Sequence, residues 1–412
     1  MKPFNILITL ILFTSLLSAQ NWIEVGGGMN NQINKLVVYD DQLVASGSFT
    51  QAGGTNAYYI AFWNGSNWSG PDKSNIDWVS DIVVHNDTLF GCSSDGIYYW
   101  SDSVWVQYIN YSQLQYGGKL IEYNNELYLY LGFPSDQILK IHGDSLIYIA
   151  GFGPEGGGVT DWCVYQGNLY IAGCYVTFTG VYSPHIAYYD GTTWYVMGSG
   201  LSGNSTGEAV TGFNNSIYIG GNISTLLGDP GNNLLEWDGS LLNSFPEEPN
   251  NGVTFLETIN GKMYMGGDFN NIGNIQTTNL VVWDGTSWNN IGNINNTSNL
   301  NMVEYNGNLF IGGMFTTIDG DSINYIAYYD ETGNINNEQT ELDFNIYPNP
   351  TTGKIRLQAI EEINIIEIMD LQHKLIYSGK KNEIDLSQEP DGIYIIKVIT
   401  DKQTITRKII KH

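Results

Sequence analysis

The chain has 412 residues and a formal net charge of −26, with 48 Gly, 28 Tyr and 11 Trp and only 14% charged residues. That length exceeds one small core, and a Gly- and aromatic-rich composition suits short strands joined by turns and excludes a helical bundle. The acidity excludes partners rich in phosphate, nucleic acid and anionic lipid surfaces alike.

The chain opens with Lys2, an apolar run over residues 6–17 and the small pair Ser18-Ala19 before Gln20. This pattern predicts a secretory signal peptide over 1–19, too short to span a bilayer. No other stretch reaches about 18 consecutive apolar residues, so no transmembrane span is expected.

Residues 20–333 repeat. Four segments, LVVYDDQLVASGSF (36–49), CVYQGNLYIAGCYV (163–176), ETINGKMYMGGDF (257–269) and VEYNGNLFIGGMF (303–315), each read as an alternating strand, a tight turn and a second strand ending in Gly. Asn260-Gly261 and Asn306-Gly307 are strong hairpin turns. The first apolar residues after these turns are Leu43, Leu89, Leu127, Leu169, Ile217, Met263 and Leu309, spaced by 46, 38, 42, 48, 46 and 46. Third and fourth strands recur as AYYIAFWNGSNW (57–68), HIAYYDGTTW (185–194), NLLEWDGSLL (233–242) and NLVVWDGTSW (279–288). Four strands per ~40–50 residues predict the blades of a seven-bladed β-propeller. The seventh unit lacks a fourth strand after Glu331, and the segment from Trp22 to Gly26 resembles one; it is expected to close the last blade and cover two open edges. Units two and three are irregular, so six or eight blades are the alternatives.

The acidity is confined to this body: residues 20–339 hold 5 Lys, no Arg and 31 acidic residues, whereas 340–412 hold 10 basic and 11 acidic. Its three cysteines, Cys92, Cys163 and Cys174, are an odd number. A tight turn at Gln166-Gly167 would set Cys163 opposite Tyr170 rather than Cys174, so all three read as small buried hydrophobes.

Eight residues before each anchor, at the start of the innermost strand, stand Lys35, Asp81, Lys119, Asp161, Ala209, Phe255 and Asn301. The alternation of Lys and Asp predicts either ion pairs between neighbouring blades or a charged channel mouth. At such a mouth Trp78 and Trp162 would offer a sugar ring a stacking face. The five histidines, at 85, 142, 185, 373 and 412, are scattered, and H-E-x-x-H, C-x-x-C and phosphate-loop motifs are missing. No catalytic residue, metal or cofactor is predicted. Asp229 and Asp319-Gly320-Asp321, in the loops after second strands, could contribute oxygens to a cation, and ordinary turn chemistry is the favoured reading.

Residues 334–341 form a polar linker. Beyond it Trp vanishes, Lys and Ile rise, and alternating strands over 342–412 predict a small antiparallel Ig-like β-sandwich. Tyr347-Pro348-Asn349-Pro350, Gly353, Ile368-Met369-Asp370, Gly392-Ile393-Tyr394 and the basic end Arg407-Lys408-Ile409-Ile410-Lys411 follow in order. These motifs resemble the type A C-terminal sorting domain of the type IX secretion system of Bacteroidetes. The resemblance implies export through the periplasm, handling by the type IX machinery, and release or attachment at the outer-membrane surface.

The propeller repeat is similar to kelch-like and galactose-oxidase-like blades; without a cluster of His and Tyr ligands it implies no oxidase activity. Asp87-Thr88-Leu89, Asp102-Ser103-Val104, Asp144-Ser145-Leu146 and Asp321-Ser322-Ile323 look like the short O-glycosylation sequon of Bacteroidetes, which would modify Thr88, Ser103, Ser145 and Ser322. Turn preference explains the same triplets equally well. The chain is expected to be a secreted or surface-attached, non-catalytic module with a glycan or protein ligand. A polysaccharide- or peptide-degrading enzyme using Asp81 and Asp161 across the channel, and a structural envelope protein, are the alternatives.

Overall fold

A computed structural model describes residues 22–330 and 344–412, apart from 74–75, 112–117, 133–134, 154–156, 176, 183, 202–204, 224, 227–228, 231–232, 360–363, 371–373 and 400–403. The expected signal peptide, the linker and His373 lie outside the described residues. The chain divides into two compact units, 1–334 and 335–412. The described residues form strands and turns without helix, and no helix among them is long and apolar enough to cross a membrane.

The described residues of the first unit build seven four-stranded antiparallel meanders. Sheet 1 runs Ile33–Tyr39, Gln42–Gly47, Ile60–Trp63, Trp68–Ser69. Sheet 2 runs Asp81–His85, Thr88–Ser93, Gly96–Ser101, Val104–Asn110. Sheet 3 is Gly118–Tyr123, Glu126–Leu131, Gln137–His142, Ser145–Gly151. Sheet 4 is Val159–Tyr165, Asn168–Gly173, Ile186–Tyr189, Trp194–Val196. Sheet 5 comprises Thr206–Phe213, Ser216–Asn222, Leu234–Trp237, Leu242–Ser244. Sheet 6 comprises Val253–Ile259, Lys262–Gly267, Leu280–Trp283, Trp288–Gly292. Sheet 7 takes Asn301–Tyr305, Asn308–Gly312 and Ile326–Tyr329 from the end of the unit, and its outer strand, Trp22–Glu24, from the beginning. Trp22 lies opposite Tyr329 and Glu24 opposite Ala327, the pairing expected from the missing fourth strand.

The turns explain why the meanders form where they do. Asp190, Asp238 and Asp284 each accept hydrogen bonds from the backbone N–H groups two and three residues ahead, at 2.7–2.9 Å, and so fold the chain back between third and fourth strands. Cys163 pairs with Tyr170, as the turn predicts, and all three thiols are free. Only Cys92 is buried. Cys163 is half-buried and Cys174 exposed, which corrects the expectation for the latter: it lies just past the Gly173 end of its strand.

The first strand of each sheet lies beside the first strand of the next, and that of sheet 7 lies beside that of sheet 1. Hydrophobic clusters fill the spaces between sheets. One gathers Ile33, Leu36 and Trp63 of sheet 1 with Tyr305, Phe310 and Ile326 of sheet 7.

A second kind of element was too short to show in the sequence. In sheets 1, 4, 5, 6 and 7 the link between second and third strands folds into a miniature hairpin, for example Asn271–Ile272 with Ile275–Gln276. Ala52, Phe178, Ile272 and Ile318 of these hairpins bridge to Met29, Phe152, Pro249 and Ile294, on the segments leaving the preceding sheets. Sheets 2 and 3 use only the short connectors Ser94-Asp95 and 132–136, the physical form of their irregular spacing.

The second unit has a three-stranded sheet, Phe344–Tyr347, Lys354–Ala359 and Glu383–Asp385, and a four-stranded sheet ordered Leu375–Gly379, Ile365–Asp370, Gly392–Ile399, Thr404–Lys411. Ile355, Leu357 and Ile384 of the first share one hydrophobic cluster with Ile366, Ile368, Tyr394, Ile396, Val398 and Ile409 of the second.

Candidate functional site

The inner first strands hold most of the sequence-predicted residues, and their side chains mostly serve the neighbouring sheet. Asp81 accepts from the N–H of Leu120 at 2.8 Å and of Ile82 at 2.9 Å. Asp161 accepts from the N–H of Val210 at 2.8 Å. Lys119 donates to the carbonyl of Thr160, and Asn301 to the carbonyls of Asn299, at 3.0 Å, and Asn34, at 3.4 Å. Adding Asn34 to Val79, Ser80 to Gly118, Thr160 to Gly207, Thr211 to Thr258 and Thr254 to Thr297 gives every junction between adjacent first strands a polar tie. The Lys/Asp alternation is thus a lacing of side chain to neighbouring backbone. Lys35 and Lys119 also act on the carboxylates of the neighbouring sheets, Asp81 and Asp161. Buried Ala209 and Phe255 interrupt the charge at sheets 5 and 6.

Charge nevertheless converges across the space the first strands enclose. Lys35 on sheet 1 feels Asp81 on sheet 2, Glu257 on sheet 6 and Asp161 on sheet 4, although sheets 4 and 6 are not its neighbours. Burial pulls the Lys35 ammonium down, and the three carboxylates together outweigh it, so its pKa is raised. Burial pushes Asp81 and Asp161 up, against the pull of Lys35, Lys119 and the backbone N–H groups they accept from. Burial pushes Glu257 up to about 7; Lys35 opposes this and Asp161 adds to it.

Glu257 was not among the residues expected from the sequence, although its position carries a signal. Six residues before the anchors stand Val37, Val83, Ile121, Cys163, Thr211, Glu257 and Val303, so Glu257 is the single charge in an otherwise apolar or weakly polar row. Because its folded pKa lies above the carboxylate's ordinary 4.5, folding binds its proton, and the contribution of this group to stability is full below pH 4.5 and is lost as pH rises through about 7. Glu257→Gln is therefore expected to flatten the stability profile between pH 5 and 8. At pH 8 it should exceed the parent by about 1–3 kcal/mol, part of the gain being offset because Lys35 loses a carboxylate. Denaturant titrations across that range check this; parallel profiles for the two proteins would refute it.

Trp162 alternates with Asp161 and packs, half-buried, against the cluster of Tyr123, Val159, Leu169 and Ile171, facing back towards sheet 3 while Asp161 faces sheet 5. Trp78 is half-buried in the segment before sheet 2. Among the triplet hydroxyls, Ser103, Ser145 and Ser322 are exposed at turns or strand ends, while Thr88 is half-buried and donates to the carbonyl of Asn86 at 3.3 Å. Among the described residues, no group of three or more His, Cys, Asp and Glu is placed to hold a metal ion.

In the second unit, Lys411 is buried and pairs with Asp391 at 2.7 Å, and Asn349 ties the opening strand to the last one through Lys408 and Ile410 at 2.8 Å. The motifs singled out in the sequence thus meet in one folded body. Residues 345–412 match the family described as secretion system C-terminal sorting domain. The C-terminal unit carries a type IX sorting domain. Such a domain implies handling by the secretion machinery and export to the cell surface or medium.

No curated protein matches the chain. Among solved structures, the extracellular domain of BT4673 from B. thetaiotaomicron is similar over 95% of this chain and 58% of its own, at 12% identity and TM-score 0.49. The β-propeller domain of the Trilobed protease from Pyrococcus furiosus is similar over 73% of this chain and 96% of its own, at 11% identity and TM-score 0.46.

Proposed function

We propose that this is a secreted or surface-attached binding protein whose first unit, about residues 20–333, is a closed seven-bladed propeller. Its second unit, 342–412, is an Ig-like sandwich read by the type IX machinery, and residues 1–19 are a signal peptide removed on export. The cyclic order of the first strands, with sheet 7 beside sheet 1, favours ring closure at seven.

The observation that carries the non-catalytic reading is the fate of Asp81 and Asp161. Each carboxylate is committed to a backbone N–H of the neighbouring sheet, at 2.8 Å, which fits an architectural tie better than an acid/base pair exchanging protons with substrate. Ligand contact then falls to the loops and grooves at the ends of the sheets, where rigid scaffolds carry recognition. Exposed Ser103, Ser145 and Ser322 are the proposed O-glycan acceptors, with Thr88 the least accessible. A glycan and peptide array followed by turnover assays on every hit tests this. Binding without turnover is expected; hydrolysis abolished by Asp81→Asn or Asp161→Asn would establish the degradative alternative.

A further inference from the structure

Sheet 3 departs from the repeat at the place where a groove opens. Its second and third strands are joined by a connector too short for the miniature hairpin of sheets 1, 4, 5, 6 and 7. Between Ser135-Asp136-Gln137, the end of the sheet's outer strand and the hairpin of sheet 4 lies a groove of about 500 Å³, lined also by Tyr148, Phe152 and Thr179. That size falls within the ~300–1,000 Å³ of small-molecule sites.

Phe152 and Asp136 are held in place, and Tyr148 stands out beside them. Tyr148 is 59% exposed, the largest exposure of any aromatic side chain among the described residues that are large and apolar. Gly151 leaves room for it: a Cβ there would stand 2.8 Å from the Tyr148 hydroxyl. Phe152 is fixed from behind by Phe178 at 4.8 Å, Tyr175 at 4.9 Å and Tyr130 at 5.9 Å between ring centroids. Asp136 Oδ1 accepts from the Tyr130 hydroxyl at 3.1 Å.

We propose that this groove binds a neutral oligosaccharide. The apolar C–H face of a pyranose packs on an aromatic ring such as Tyr148, and burying that face is favourable. Sugar hydroxyls need acceptors and donors at fixed positions; the carboxylate of Asp136, the carboxamide of Gln137 and the hydroxyls of Ser135 and Thr179 supply both. No basic residue lines the groove, and a chain of net charge −26 repels uronates and sulfated sugars. Burial also raises the Asp136 carboxyl, against the pull of the Tyr130 hydroxyl. This inference rests on the binding reading above.

Titration calorimetry on the full secreted chain tests it, with neutral gluco-, xylo- and manno-trisaccharides as probes and a triuronate and trilysine as charged controls. At least one neutral trisaccharide is expected to bind, Tyr148→Ala and Asp136→Asn each weakening it about tenfold or more and Tyr148→Phe restoring most of the affinity. Trisaccharide binding unchanged by Tyr148→Ala overturns the groove and leaves the binding reading standing. Trilysine binding lost in Asp136→Asn overturns the ligand class. Silence towards all three neutral trisaccharides overturns the proposal, while hits elsewhere on the broad array keep the binding reading alive.

Discussion

Trp22→Ala is expected to destabilise the first unit by about 3–5 kcal/mol, the usual consequence of emptying a buried Trp site. Trp22 is 1% exposed and packs with Leu280, Ile294, Phe315 and Ile318. Its ring lies 5.0 Å from that of Tyr329, and its indole N–H donates to the carbonyl of Ile291. Gly292 makes space for it, since a Cβ there would lie 2.8 Å from the indole nitrogen. The strand it anchors is three residues long, so Trp22 is its largest buried contact, beside the pairing with 327–329 and the bonds of Glu24 to Asn324. Its release would bare the edge of the strand Ile326–Tyr329, and unpaired edges template association. Denaturant unfolding should therefore show the loss of stability together with concentration-dependent aggregation. A matched Val104→Ala, at a position 50% exposed, should change stability by less than about 0.5 kcal/mol. A Trp22→Ala protein within about 1 kcal/mol of the parent would refute the closure by this strand.

Removal of residues 342–412 is expected to abolish appearance of the protein at the cell surface and in the medium, leaving it inside the envelope. The domain's near-neutral balance of 10 basic and 11 acidic residues sets it apart from its strongly acidic cargo, so the machinery can recognise it without confronting the cargo's charge. Recognition should require the folded domain. Ile368 is fully buried in the cluster that joins both sheets, and Ile368→Asp would place a carboxylate there at a cost of several kcal/mol. Export should fail in this variant as it does in the truncation, while the first unit remains folded. Fractionation and immunoblotting of culture supernatant, surface and periplasm provide the measurement. Undiminished export of the truncated chain would overturn the sorting role.

What could be read from the sequence was local. Alternation of apolar residues and turns such as Asn260-Gly261 depend on adjacent residues, so the seven anchors, the Cys163 register and the Trp22 strand were all legible. The miniature hairpins were not, because a strand of two residues has no period. Direction was equally hidden. Asp161 and Trp162 are adjacent in sequence, but one serves sheet 5 and the other packs towards sheet 3, and only the neighbours decide which is a tie and which is core. The weight carried by Glu257 depends on Lys35 and Asp161, on sheets that join it only when the first strands come together. The groove beside Tyr148 brings together two strands of sheet 3 and the hairpin of sheet 4, residues that the sequence keeps some thirty positions apart.

The outer strand of sheet 7 has a further consequence. Glu24 accepts two hydrogen bonds from Asn324, at 2.9 and 2.8 Å, from a residue 300 positions later. During vectorial synthesis sheets 1 to 6 can form in order, but the earliest strand must wait, unpaired and apolar, for the latest. A product cut short before residue 326 lacks the strand that pairs with Trp22, Ile23 and Glu24 and leaves the outer edge of sheet 7 incomplete. The two ends of the unit thus meet in one sheet, whose last edge is covered only once residues 326–329 have been made.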